Sequence, residues 1–203
     1  MDVQELRPGL WRWAAPHPKW RPGFDWPRDV GCIYLETRDA TVLIDPLVPA
    51  DEEERFWSAL DRDVERRRLP VMVLLTCAWH RRSADVVAAR YGARIWRSVG
   101  PLPREIEVEG FAAGEWREDV FVLAEHAALV FGDVIEGDGK RGLRMPLNWW
   151  PPEEPRTEQV RDELRRLLER PIDVVLVSHG EPVLRDAHAA LERALREPGI
   201  SAG

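Results

Sequence analysis

The chain has 203 residues, of which 44% are hydrophobic and 32% are charged, and its formal net charge is −7 at pH 7. This length and composition are typical of one globular domain, residues 1–203, and argue against a disordered chain. The negative charge and the lack of a long basic run disfavour nucleic acid as a partner. Two distant cysteines, no signal-like leader in residues 1–13 and no membrane-length apolar run predict a cytoplasmic protein without membrane contact.

The first half of the chain predicts a hairpin, a helix and a buried strand. Residues 6–27 hold four tryptophans among prolines and indicate a short edge strand with an aromatic loop, which either covers one end of a sheet or forms a pocket wall. Runs of β-branched and aromatic residues at 31–36 and 41–44 predict a hairpin. Helical spacing predicts an amphipathic helix over 51–68, and an unbroken apolar run predicts a buried strand over 71–75.

The next segment predicts a second helix and a second hairpin. Ser83 is expected to cap a helix that stops at Gly92, and a short strand follows over 94–96. Strands at 120–123 and 128–131 form the second hairpin, so the sheets are predicted to be mixed.

The last third begins with a long segment without periodicity, residues 132–156, which is predicted to be a functional or mobile loop. Thr157 is expected to cap a helix, a buried strand is predicted over 173–177, and a helix over 188–195 closes the chain.

Three strands run into polar turns that carry reactive side chains. The strand over 71–75 leads into Cys77 to Arg82, the second hairpin ends at Asp133, and the last strand leads into His179. Because α/β enzymes place reactive groups at the carboxyl ends of strands, we expect these turns to form one site.

The order of these motifs resembles the metallo-β-lactamase superfamily. The segment from Leu43 to Pro46 is similar to the family's Leu-Ile-Asp turn, and Asp133 in Gly-Asp is similar to its metal-bridging aspartate. His179 in His-Gly is similar to its last metal-binding histidine. The resemblance covers nearly the whole chain and implies an αββα sandwich of two mixed sheets flanked by helices, with the site at one edge of the facing sheets.

The main metal-binding signature of that family, Thr-His-x-His-x-Asp-His, is altered in this chain. The corresponding residues are Thr76-Cys77-Ala78-Trp79-His80-Arg81-Arg82, in which only the threonine is kept. His80 falls on a position that is not a ligand in the family. A further family histidine would fall near Gly114, where the chain reads Gly-Glu-Trp.

The number of metal-binding side chains limits how many metal ions the site can hold. Zinc catalysis needs about three protein ligands for one ion and more for two, and guanidinium groups oppose a dication. We therefore expect no zinc pair, and either no cofactor or one divalent metal held by Cys77, Asp133 and His179. One of the two arginines, Arg81 or Arg82, is expected to form an ion pair with Asp133.

The candidate catalytic residues are Asp133, His179 and His80. Asp133 acts either as a remnant ligand or base or as the partner of an arginine, and His179 either as a ligand or base or as a turn residue. Cys77 and His80 form either a metal-binding or nucleophilic pair, or a buried thiol with a supporting imidazole.

Other residues are candidates for contact with substrate. Arg81 and Arg82 are suited to an anionic group at a helix start, with Trp79 beside them. In the long loop Arg144, Met145, Trp149 and Trp150 form either a lid over the pocket or a self-packed or dimer-contacting surface.

The resemblance implies a hydrolase-like protein with an incomplete metal site, acting on a small anionic ester, thioester or lactone. The alternative is a non-catalytic protein, a pseudoenzyme that keeps the fold without metal and binds a ligand or an interaction partner. The expected partner is a small anionic molecule, and a homo-oligomer is compatible with the sequence.

Overall fold

The computed structural model describes residues 2–96, 98, 100–113, 116–140, 142–146 and 156–196. Its contacts divide the chain into two compact units, each with a mixed sheet. Unit 1 comprises Met1–Phe24 and Arg28–Arg104, and unit 2 comprises Asp25–Pro27 and Glu105–Gly203. The assignment of the whole chain to one domain stays a prediction.

Unit 1 is built on a six-stranded sheet in which sequential strands are neighbours. Its strands are β1 (Asp2–Arg7), β2 (Leu10–Pro16), β3 (Asp29–Glu36), β4 (Thr41–Ile44), β5 (Val71–Leu74) and β6 (Arg94–Trp96). The strands β1 to β4 pair antiparallel, and β4, β5 and β6 pair parallel. The parallel strands β4 and β5 therefore end at the same edge of the sheet.

The parallel strands of unit 1 are connected by two helices, α1 (Glu53–Arg67) and α2 (Ala84–Tyr91). Acidic residues in the first turn of α1 and arginines in its last turn complement the helix dipole. The helix α2 ends at Gly92, whose φ of 63° suits a glycine C-cap.

The described residues of unit 2 form a four-stranded sheet, a small two-stranded sheet and two α-helices. The strands are β7 (Ile106–Ala113), β8 (Trp116–Leu123), β9 (Ala128–Phe131), β10 (Glu136–Gly137), β11 (Leu143–Arg144) and β12 (Val174–Val177). The larger sheet has the order β12-β9-β8-β7, with β12 parallel to β9 and the other pairs antiparallel. The helices are α3 (Arg156–Arg165) and α4 (Ala187–Arg196), and Val160, Leu164 and Leu191 are among the residues that pack them into the core.

The predicted hairpins, helices and buried strands are confirmed, with bounds that differ by a few residues. Four strands were missed: β1, β7, and the two-residue strands β10 and β11 within the segment predicted to be a loop. Gly9, with a φ of 82°, turns the chain so that the charged segment β1 pairs with β2, and β7 contains Gly110, which weakens a strand pattern. Among the described residues, no helix combines the length and the apolarity that spanning a membrane requires.

Two predicted helix caps are wrong. Ser83 precedes α2 but makes no capping hydrogen bond, because its Oγ accepts a hydrogen bond from the backbone N–H of Val48 at 3.0 Å. The helix α3 begins at Arg156, so Thr157 lies inside its first turn.

Candidate functional site

Asp45 follows β4 and is the buried carboxylate around which polar residues of unit 1 are arranged. Its backbone N–H donates to Leu74 O at 3.0 Å, which aligns the ends of β4 and β5. Asp45 Oδ1 accepts from the backbone N–H of Thr76 at 2.9 Å, and Oδ2 accepts from Thr76 Oγ1 at 2.5 Å. These bonds offset the cost of its positive φ of 49°, which is uncommon for residues other than glycine.

His80 is buried on the turn after β5, with its Nδ1 atom toward Asp45. Nδ1 lies 2.9 Å from Asp45 Oδ2 and 2.9 Å from Thr76 Oγ1. Because the Thr76 hydroxyl donates to Asp45, both oxygens near Nδ1 act as acceptors. The hydrogen-bond network therefore assigns the Nδ1–H tautomer and places the lone pair of the neutral ring on Nε2, the atom that can bind a metal or take up a proton.

The pKa of Asp45 is held below its ordinary value. Burial alone would raise it, but the positive charge that His80 carries when its ring is protonated, the hydrogen bond from His80, the Arg82 cation and the hydrogen bond from Thr76 together lower it. The carboxyl is therefore ionised at neutral pH. A carboxylate at Nδ1 fixes the ring orientation and increases the basicity of Nε2.

Cys77 and Trp79 lie on the same turn as His80. Cys77 is buried with a free thiol, and its carbonyl accepts from the His80 N–H at 3.2 Å. Trp79 is 50% exposed, which is unusual for so large an apolar side chain. The turn thus combines a buried thiol, a buried imidazole and an exposed indole.

The two arginines of this turn have different surroundings. Arg81 forms an ion pair with Asp85 one helical turn later, and its Nε donates to Asp85 Oδ2 at 2.5 Å. Arg82 donates from Nη1 to Gly31 O and to Asp45 O, both at 3.0 Å, and has a positive φ of 33°. Arg82 therefore connects the turn to β3 and β4. The expected ion pair between one arginine and Asp133 would link unit 1 to unit 2 and stays a prediction. We call Asp45, Thr76, Cys77, His80 and Arg82 the His80 group.

In unit 2, Glu118 on β8 binds the backbone of the turn that carries Asp133. Its Oε1 accepts from Gly132 N at 2.8 Å, and its Oε2 accepts from Asp133 N at 2.7 Å and Val134 N at 3.0 Å. Burial, followed by the nearby Asp133 charge, raises the pKa of Glu118 to about 8, although the three N–H donors favour the carboxylate. Glu118 fixes the position of Asp133 and adds a second acidic group beside it.

Asp133 and His179 are buried and form a pair across the ends of β9 and β12. His179 Nε2 lies 3.1 Å from Asp133 Oδ1. The His179 ring also meets the edge of Trp26, with ring centroids 5.2 Å apart. The structure thus brings together two of the predicted catalytic residues and adds an aromatic wall.

Two glycines hold the His179 turn close to β10. Gly137 N donates to His179 O at 2.9 Å, and Gly180 has a φ of 82°. A Cβ atom on Gly137 would lie 2.5 Å from Glu181 O, a distance that real Cβ atoms do not tolerate. This contact requires glycine, so the position of His179 depends on it.

Glu136 is a further buried carboxylate and lies on β10, next to Gly137. It forms an ion pair with Arg144, whose Nε donates to Glu136 Oε1 at 2.6 Å. Burial raises the pKa of Glu136, and the charges of Asp25 and Asp133 act in the same direction, against the lowering effect of Arg144. We call Glu118, Asp133, Glu136, His179 and Trp26 the Asp133 group.

The residues of the long loop that were predicted to contact substrate have different surroundings. Met145 is 1% exposed in the core of unit 2, so the lid role considered for it is wrong. Arg144 is bound to Glu136, while Trp149 and Trp150 lie outside the described residues.

Sequence reasoning missed Asp45, Glu118 and Glu136 as parts of the candidate site. Asp45 was visible in the Ile-Asp-Pro turn, but its partner is 35 residues away in sequence. Glu118 belongs to a part of β8 that was not predicted to be a strand, so its inward orientation could not be inferred.

No family model and no curated protein matches the chain. Solved structures do match. A metallo-β-lactamase from Erythrobacter litoralis is 18% identical with a TM-score of 0.59, over 97% of this chain and 92% of that one. A β-lactamase domain protein from Burkholderia ambifaria is 16% identical with a TM-score of 0.59, over 95% and 75%. The structure of VMB-1 is 10% identical with a TM-score of 0.63, over 96% and 94%.

The chain has the metallo-β-lactamase fold. The predicted fold class is confirmed, since the similarity extends over nearly the whole chain and the two larger sheets are both mixed. At these identities the likeness establishes the fold alone. The activity must therefore be argued from the residues.

Several side chains of the two groups are of the types that bind metal ions. The His80 group offers the Cys77 thiol and His80 Nε2, and the Asp133 group offers Asp133 and His179. Asp45 and Glu118 each accept three hydrogen bonds from neighbouring groups, which occupies most of their acceptor capacity. Thiolate, imidazole and carboxylate are all zinc ligands, so each group contains side chains whose chemistry fits this metal.

Proposed function

We propose that this protein is a hydrolase of the metallo-β-lactamase fold with an incomplete metal site, acting on a small anionic ester, thioester or lactone. The observation that carries the proposal is the hydrogen bond between the buried residues Asp45 and His80, which supports the Nδ1–H tautomer and a basic Nε2. A buried, carboxylate-oriented imidazole is the arrangement that general-base and metal-binding histidines share.

The proposed roles fall on residues of the His80 group and of the Asp133 group. His80, Asp133 and His179 are the proposed catalytic residues, and Cys77, Asp133 and His179 the proposed ligands of at most one divalent metal, with His80 Nε2 as a further donor. Such an ion, when bound, would supply a Lewis acid for the substrate carbonyl.

The proposed reaction begins with proton transfer from a water molecule to His80 Nε2. The water oxygen forms a bond to the acyl carbon, and the electron pair of the carbonyl moves to its oxygen. When the carbonyl re-forms, the bond to the alkoxide or thiolate leaving group breaks, and that group takes the proton from His80. The Asp45 carboxylate stabilises the imidazolium present between these steps.

Recognition of an anionic substrate is proposed for the exposed part of the His80 turn. The ion pair of Arg81 with Asp85 is solvent-exposed, and such pairs contribute roughly 0–1 kcal/mol, so a substrate anion can replace Asp85. Trp79, half exposed on the same turn, offers an apolar surface beside that cation.

The test combines metal analysis of the purified protein with an ester, thioester and lactone panel. We expect at most one equivalent of zinc, iron or manganese, and turnover that falls at least 100-fold in His80→Ala and Asp133→Asn. The matched control is His126→Ala on the turn before β9, which should retain activity. Two equivalents of metal, or full activity in both site variants, would refute the proposal.

The alternative is a non-catalytic ligand-binding or interaction protein. The position of Arg82 favours it, because this side chain stands where the family has a ligand and is used to bind backbone carbonyls. On this alternative the protein has no turnover with the whole panel and no retained metal, while circular dichroism still reports a folded chain.

A further inference from the structure

One face of the unit 1 sheet carries a cluster of large aromatic side chains. In the strand register Trp13 is opposite Val3, Trp11 is opposite Tyr34, and Tyr34 is opposite Leu43. Directly opposite residues point to the same face, and so do residues two apart on one strand. All five side chains therefore lie on one face.

The helix α1 covers only part of this face. Phe56, Ala59, Leu60 and Asp63 recur at helical spacing on the side of α1 that meets the aromatic cluster. Phe56 and Leu60 are buried, and the Phe56 ring packs on Trp13 with centroids 5.6 Å apart. Val3, on the edge strand β1, is 49% exposed, so the face stays open at this end.

A cavity of about 240 Å³ lies between α1 and the sheet. It is lined by Val3, Trp11, Trp13, Tyr34, Leu43, Phe56, Ala59, Leu60, Arg62 and Asp63. An apolar cavity of about 150 Å³ can hold benzene, so this space suits a body of two fused rings. None of these residues belongs to the His80 group.

Charge at the mouth of the cavity indicates the polarity of its ligand. Arg62 lines the cavity and, within the described part of the chain, its guanidinium forms no hydrogen bond or ion pair. The neighbouring Asp63 lies 3.5 Å from Arg66, which offsets its negative charge. The Tyr34 hydroxyl donates to Glu36 Oε1 at 3.1 Å, so its polar end already has a partner. The Tyr34 ring therefore lines the cavity as an aromatic surface.

We propose that this cavity is a binding site for a small aromatic carboxylate, with its rings between Trp11, Phe56 and Leu60 and its carboxylate at Arg62. The aromatic walls supply offset and edge contacts to the rings, and the arginine supplies charge complementarity at the solvent side. The site lies within unit 1 and does not depend on the proposed hydrolase activity.

The test uses 2-naphthoate as the probe and the full chain as the protein, with binding measured by calorimetry. We expect one molecule per chain with a Kd below about 1 mM, in line with the ligand efficiency of small compounds. Ala59→Leu fills the cavity from α1 and should weaken binding at least tenfold. Ser58→Leu adds the same side chain at an exposed neighbouring position and should leave the Kd unchanged.

The charge is tested by a second probe and a second variant. Arg62→Gln should weaken 2-naphthoate about two- to fivefold, as expected for an exposed ion pair, and leave the neutral 2-naphthalenemethanol unchanged. If Ala59→Leu fails to fold, a crystal structure of the unmodified chain with 2-naphthoate takes its place, and the rings are expected against Trp11 and Phe56.

Several results would overturn the inference. They are an absence of binding by the unmodified chain, an unchanged Kd in folded Ala59→Leu, or naphthoate bound elsewhere in the crystal. Binding that is retained in His80→Ala supports the separation of this site from the proposed active site. Binding that is lost in that folded variant would place the probe in the active site and overturn the inference, whatever the ester panel reports.

Discussion

His80 and Asp45 are joined by a hydrogen bond from Nδ1 to Oδ2 of 2.9 Å, with both side chains buried. The bond connects the turn after β5 with the end of β4. Thr76, which follows β5, places its hydroxyl next to both Asp45 Oδ2 and His80 Nδ1. A buried acceptor of this kind both stabilises the fold and sets the tautomer of the ring.

Asp45→Asn should lower the free energy of unfolding by about 1–3 kcal/mol, because a buried acceptor of several hydrogen bonds is replaced by a group that also donates. Urea denaturation followed by circular dichroism measures the change. Asp51→Asn, at an exposed position before α1, is the control and should stay within about 0.5 kcal/mol. Equal effects of the two substitutions would contradict the role given to Asp45.

Glu118 predicts a dependence of stability on pH. Its pKa rises from an ordinary 4.5 to about 8 in the folded chain, so between these values the folded state holds a proton that the unfolded state has lost. Its contribution to stability is therefore complete below pH 4.5 and is lost as the pH rises through 8. The free energy of unfolding should fall by on the order of 1 kcal/mol per pH unit in this window.

The Glu118 contribution is isolated by comparison with Glu118→Gln, which cannot titrate. Urea denaturation at pH 5, 6.5 and about 8.5 should give a steeper decline for the unmodified chain than for the variant. Parallel declines would show that another group causes the dependence.

Gly137→Ala should destabilise the protein by about 1–3 kcal/mol, because the added methyl group meets the backbone of Glu181 and forces a shift. Differential scanning calorimetry gives the change in Tm. Gly110→Ala is the matched control, since the same methyl group on β7 would meet only the Asp119 carboxylate at 3.4 Å. A Tm loss as large in the control would argue against the close contact.

The neighbours Arg81 and Arg82 should respond differently to replacement. Arg82→Ala removes the donor to two backbone carbonyls at the ends of β3 and β4, and we expect a loss of about 1–3 kcal/mol. Arg81→Ala removes an exposed ion pair and should cost less than about 1 kcal/mol. Urea denaturation of both variants under one condition ranks them, and the reverse order would contradict the contacts described for Arg82.

The periodic elements could be predicted because their signals are local. The helix α1 and the strands β5 and β12 follow from apolar spacing within a few residues. The strand β1 could not be recognised, since its six residues are mostly charged or polar and exposed, and only pairing with β2 makes it a strand. The strand β7 could not be recognised either, because Gly110 interrupts its strand pattern.

The candidate site was predicted in part, for a related reason. His80, Asp133 and His179 stand next to buried strands, and the sequence alone identifies those strand ends. Their partners are distant in sequence. Asp45 lies 35 residues before His80, and Glu118 lies 15 residues before Asp133 on a neighbouring strand.

The amino-acid sequence by itself determined the fold class and the positions of reactive side chains at the strand ends, because both follow from residue types and their order. Only the tertiary structure decided that Asp45 orients His80 and that Glu118 binds the backbone of the Asp133 turn. It also decided that Arg82 binds backbone carbonyls. Hydrogen-bond partners and burial depend on which strands lie side by side. That arrangement is fixed by packing of the whole sheet, and no local stretch of sequence encodes it.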